Sequence, residues 1–104
     1  MPRALVIAAR QPEFSALLEE AGFDVEVRTR PLEARLPTAD VAIVFRGRLI
    51  GRAQAALLAE AGIPVIEVLT SPPTSPSTRT WLKLSNRIAK PDLVQVVHAL
   101  ASTI

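Results

Sequence analysis

Two uninterrupted apolar runs, Ala4-Leu5-Val6-Ile7-Ala8-Ala9 and Val41-Ala42-Ile43-Val44-Phe45, constrain the fold of this chain more than any other feature. A strand with no polar residue on either side has no solvated face, which is the pattern of a parallel sheet covered by helices above and below. Segments of helical spacing follow each run. Phe14, Leu17, Leu18 and Ala21 recur at that spacing from about Pro12, and Leu49, Ala53, Ala56, Leu57 and Ala59 form a second set. Gly22 and Gly62 stand just past the last periodic residue of each, where a glycine ends a helix. The echo between Ala16-Leu17-Leu18-Glu19-Glu20-Ala21-Gly22 and Ala56-Leu57-Leu58-Ala59-Glu60-Ala61-Gly62 reads as two helix-to-strand turns built by the same rules.

The rest of the chain fills in a repeating pattern. Phe23-Asp24-Val25-Glu26-Val27 alternates apolar with charged, as a half-exposed strand at or near a sheet edge does. Pro31 and Pro37 bracket Leu32 to Leu36, leaving room for one or two turns of a stunted second helix. Pro64 to Thr70 reads as a fourth strand and Ser71 to Thr78 as a Pro/Ser/Thr connector. Trp81, Leu82 and Leu84 read as a short fourth helix, Arg87-Ile88-Ala89-Lys90 as a fifth strand, and Leu93, Val96, Val97 and Leu100 as the buried face of a last helix. The expected architecture is a single α/β domain over residues 1–104. It is a flavodoxin-like three-layer sandwich with a five-stranded parallel sheet in the order 2-1-3-4-5 and with helices 2 and 4 shortened. The functional edge of such a sheet lies at the carboxyl ends of its strands, here Ala8-Ala9-Arg10, Phe45-Arg46, Thr70-Ser71 and Lys90.

Bulk composition narrows the functional classes. A chain of 104 residues buries about 65% of its unfolded surface and needs no covalent staple. Hydrophobic content of 49% and mean hydropathy of +0.29 are high, yet no apolar run approaches the length of a membrane helix. No secretory pattern precedes Met1-Pro2-Arg3, so the cytoplasm is the default expectation. The absence of cysteine removes disulfide, zinc-thiolate and thiol chemistry. Net charge is only +2 but the cations are mostly arginine, and a pI near 9.9 suits an acidic or anionic partner. Aromatic content of 4% argues against a base-stacking platform, leaving only non-specific nucleic-acid contact through arginine.

Pro64-Val65-Ile66 leading to Leu69-Thr70-Ser71, then Ala89-Lys90-Pro91 opening a Leu/Val-rich last helix, is similar to the second half of the receiver domains of two-component response regulators. In that family a Thr or Ser after strand four and a Lys after strand five contact an aspartyl phosphate. The resemblance puts these roles on Thr70 or Ser71 and on Lys90. The family's chemistry needs carboxylates to hold Mg²⁺ and an aspartate to accept the phosphoryl group. This chain has Ala8-Ala9 where the acidic pair would stand and Phe45 where the aspartate would stand. Glu13 falls within helix one and Asp40 at the opposite end of strand three, so neither replaces the missing acids. Arg87 holds the place of the family's switch aromatic. The resemblance therefore implies a degenerate, pseudo-receiver form with no catalysis, no cofactor and no metal.

Two functional readings follow. The first is a protein-protein interaction module in signalling or regulation, with homodimerisation through the helix 4, strand 5, helix 5 face and Trp81, Arg87, Val94 and His98 as its interface. The alternative is a small-molecule or anion sensor whose cationic pocket is built from Arg10, Arg46, Arg48, Thr70, Ser71 and Lys90 at the carboxyl edge of the sheet. In that reading Arg46 is a free rim cation, and its removal costs no more than a surface change. Topology also resembles sugar phosphotransferase components, against which the missing cysteine and the placement of His98 on the last helix both count. His98, the only histidine, falls beside Val94 and off the buried face of that helix. Glu67 interrupts an otherwise apolar strand and must either pair with an arginine or lie on a less covered part of the sheet.

Overall fold

A computed structural model describes residues 2–9, 13–30, 38–47, 50–70, 77–78 and 80–101. Its elements run β1 (Arg3–Ile7), α1 (Phe14–Glu20), β2 (Asp24–Arg28), β3 (Val41–Phe45), α2 (Arg52–Glu60), β4 (Val65–Leu69), β5 (Trp81–Ser85) and α3 (Lys90–Ala101). All strand pairs are parallel and the sheet order is β2-β1-β3-β4-β5, the flavodoxin-like order the apolar runs imply. The stunted helix expected at Leu32 to Leu36 lies outside the described residues. No helix among the described residues is long and apolar enough to cross a membrane.

Period-two alternation in the central strands divides the core into two layers. Ala4, Val6, Val41, Ile43, Ile66 and Val68 face α1 and α3, meeting Phe14, Leu18, Leu93, Val97 and Leu100. Leu5, Ile7, Ala42, Val44 and Val65 face the other way and meet Ile50, Ala55 and Leu58 beneath α2. Strands β1, β3 and β4 are buried on both sides, which is why their sequences carry almost no polar residue. Strand β2 is a sheet edge, so only its Val25 and Val27 side is packed. Gly22 and Gly62 terminate α1 and α2 with φ of +98° and +82°, a region costly to any residue with a Cβ.

Four expectations are corrected here. Trp81, Leu82 and Leu84 belong to strand β5 and not to a helix, and Arg87 to Lys90 forms a turn and the first residue of α3, not a strand. The alternation Trp81-Leu82-Lys83-Leu84-Ser85 has the strand period, with Leu82 and Leu84 toward α3 and Trp81 toward α2. The segment Arg87 to Lys90 offers the sheet only Ile88. In α2 the buried face is Gln54, Ala55 and Leu58, while Ala53 and Leu57 are exposed. An alanine-rich helix with adjacent leucines has no unique apolar stripe, so tertiary contact decides its rotation. Glu13 is the residue that caps α1 and does not lie within it.

Candidate functional site

The right-handed crossovers of a parallel sheet bring every helix N-terminus to the carboxyl ends of the strands. Strand β3 ends at Phe45, whose ring meets Phe14 edge-on with centroids 5.9 Å apart. Strand β1 ends beside Ala8 and Ala9. The place where a receiver domain would hold acids is therefore occupied by two alanines and an aromatic pair. Among the described residues, no group of three or more His, Cys, Asp or Glu side chains converges to hold a metal.

Next to these residues lies the one buried carboxylate among the described residues. Glu67 on β4 has no exposed surface, and its register partners are Val44 on β3 and Lys83 on β5. Arg46 Nη1 donates to Glu67 Oε2 at 3.0 Å and Trp81 Nε1 donates to Oε1, so both carboxylate oxygens are satisfied. Arg46 reaches it because the β3 ladder continues one residue past the strand, with Arg46 N–H donating to the Val68 carbonyl at 3.1 Å. Two cations lie over the Trp81 ring, with Arg52 Cζ 5.5 Å and Lys83 Nζ 4.9 Å from its centre. Of the two alternatives open for Glu67, pairing with an arginine or a less covered strand, the first holds, and the arginine is Arg46. It is therefore not the free rim cation of the anion-pocket reading.

Among the described residues cations outnumber acids at the carboxyl end of the sheet, where Glu13 and Asp92 also stand, and acids outnumber cations at the opposite end. Arg28 ends β2 and Arg30 follows it, Arg52 opens α2, Arg87 follows β5 and Lys90 opens α3, all at the carboxyl edge. Glu19 and Glu20 end α1, Glu60 ends α2, Asp24 opens β2 and Asp40 precedes β3, all at the opposite edge. There they meet Arg3, whose side chain reaches Asp24 at 3.6 Å and whose backbone N–H donates to Asp40 Oδ2 at 2.7 Å. Neither α1 nor α2 has an acidic residue in its first turn or a basic one in its last. Their C-terminal glutamates stand against the helix dipole, an arrangement that forfeits about 0.3–1 kcal/mol at each end. Side chains and helix dipoles thus add to the same field, positive at the carboxyl rim.

No family model matches this sequence, and no curated protein is similar to it.

The expected site residues take diverse positions. Arg10, Arg48 and Ser71 lie outside the described residues. Thr70 is exposed directly after β4. Lys90 pairs with the exposed Glu13 at 3.7 Å, which brings the start of α3 beside the start of α1 at the rim. Its separation from β5 is four turn residues, so it does not end a strand as the receiver pattern requires. The expected interface set is not brought onto one surface. Trp81 packs on the α2 side and Val94 on the α1 and α3 side, Arg87 is exposed in the β5–α3 turn, and the His98 ring meets Phe23 edge-on at 5.5 Å. Arg30 and Arg52 were not singled out in the sequence, although each follows or opens an element at the rim. The legible signal was the lack of any acid between Arg46 and Glu60.

Proposed function

We propose that this chain is a non-catalytic, pseudo-receiver-like interaction module that binds an acidic segment of another protein at the carboxyl rim of its sheet. The observation that carries this reading is the charge division, because cations and helix N-termini share one pole where the acids of a phosphorylation site would otherwise stand. A field of that sign steers and orients an acidic partner more than it adds raw affinity. The pairing of Arg46 with Glu67 removes the centre of a compact small-anion pocket. It leaves the cations spread along the rim, which suits an extended ligand better than a single phosphate.

A fluorescence-anisotropy titration with a labelled oligoglutamate peptide tests this. Wild type binds with an affinity that falls steeply with added salt, and Arg30→Glu combined with Arg87→Glu weakens it by roughly tenfold or more. Both side chains are exposed, so the double variant keeps the wild-type unfolding midpoint. Equal binding by the variant contradicts the proposal. Binding of inorganic phosphate or a cyclic dinucleotide but not of the peptide favours the small-anion reading instead.

A further inference from the structure

Strand β5 is the last strand of the sheet, and an open edge strand is a template for another chain. The Val65 N–H bond to the Thr80 carbonyl and the Asn86 N–H bond to the Leu69 carbonyl show that even-numbered residues of this stretch bond inward. Trp81, Lys83 and Ser85 therefore turn their backbone groups outward. Those groups are met by the chain's own neighbouring residues. Thr78 N–H donates to the Trp81 carbonyl at 2.9 Å, and Ile88 N–H donates to the Ser85 carbonyl at 3.1 Å. Between them a single hydroxyl serves Lys83 twice: Lys83 N–H donates to Ser77 Oγ at 2.9 Å, and Ser77 Oγ donates to the Lys83 carbonyl at 3.5 Å. Ser77 and Thr78 form a strap along the place of a sixth strand.

The opposite edge of the same molecule has the complementary form. In β2 the Asp24 N–H and the Arg28 carbonyl bond to the β1 side, so Val25 and Val27 turn their backbone groups outward. Side chains alternate with them: Val25 and Val27 lie on the α1 and α3 side, while Asp24, Glu26 and Arg28 lie on the α2 side. When β2 of a second copy is placed parallel to β5 with Glu26 opposite Lys83, three requirements are met together. Outward backbone groups alternate correctly, as they do between β4 and β5. Leu82 and Leu84 fall beside Val25 and Val27 on one face. Lys83 falls beside Glu26 on the other face, where a cross-strand pair of opposite charge is favourable.

We propose that β5 is a latent self-assembly edge whose partner is β2 of a second copy of this chain, and that Ser77 holds it shut. The contact is heterologous, so each added copy presents its own β5 edge again, and assembly continues until the copies close into a ring. Neither Ser77 nor Glu26 belongs to the basic rim, so this pairing stands or falls independently of acidic-partner binding.

Sedimentation velocity over a concentration series tests it. Wild type and Ser77→Thr, which keeps the hydroxyl, sediment as monomers. Ser77→Ala associates with an apparent dissociation constant at least about tenfold lower than wild type, because both bonds that the Ser77 hydroxyl makes to the Lys83 backbone are lost. Adding Glu26→Lys returns that variant to monomer, and adding Lys83→Glu as well restores association. Thr78→Pro, which removes the N–H bonded to Trp81, opens the same edge and gives the same reading should Ser77→Ala fail to fold. A folded Ser77→Ala protein that stays monomeric, or association indifferent to Glu26→Lys, overturns the proposal.

Discussion

Replacing Arg46 with alanine destabilises this protein by about 3 kcal/mol, because it strands a buried carboxylate with half its partners gone. Glu67 has a side chain 1% exposed, and removal of Arg46 takes away the ion pair while the Trp81 indole still donates to it. The Arg46 side chain is 36% exposed, which allows some water to substitute and keeps the cost at the lower end of the range for broken buried pairs. Urea unfolding followed by Trp81 fluorescence gives the measurement, with the midpoint lowered and the slope unchanged. The double replacement Arg46→Met with Glu67→Met separates pairing from packing. It should recover to within about 1 kcal/mol of wild type, since a buried ion pair exchanged for apolar side chains of similar size is close to neutral or stabilising. An Arg46→Ala protein as stable as a surface variant would show that Glu67 draws nothing from its ion pair.

Truncating Phe14 to alanine costs about 4 kcal/mol. Phe14 is 1% exposed, opens α1, and carries the contact between that helix and the end of β3. Its removal takes away apolar burial and the edge-on contact with Phe45, and leaves a void that α1 must collapse into. For a domain of this size that is a large share of a total stability of about 5–15 kcal/mol. Phe14→Leu, which fills most of the space, should cost less than about 1.5 kcal/mol. Thermal unfolding by circular dichroism distinguishes the two. A loss for Phe14→Ala no larger than that for Phe14→Leu would mean that the aromatic pair does not hold the rim together.

The sheet order was legible because three of its strands are buried on both faces and two helices end at glycines, features that need no tertiary information. Strand β5 was not. Its alternation Trp81 to Ser85 is as clear as that of β2, but the Lys90-Pro91 resemblance drew the last strand toward Arg87 to Lys90. The rotation of α2 was hidden for another reason, since alanine suits either face and the adjacent Leu57 and Leu58 support two stripes equally. For the rim, strand ends and cations could be read directly, while the loss of Arg46 to Glu67 could not. That pairing depends on β3 and β4 being neighbours in register, with Val44 opposite Glu67, which single-sequence patterns do not give. The Ser77 strap is likewise a property of the edge, invisible until β5 is known to be the last strand.

The scaffold is a flavodoxin-like sheet, and what separates the proposed pseudo-receiver from a phosphorylated switch is the content of the rim: Ala8, Ala9, and Phe45 packed on Phe14. Incubation with acetyl phosphate and Mg²⁺ followed by intact-mass measurement tests that separation most directly. The mass of the protein should remain that of the unmodified chain, with Trp81 fluorescence unmoved. A gain of one phosphoryl group, removed by hydroxylamine as an acyl phosphate is, would contradict the account.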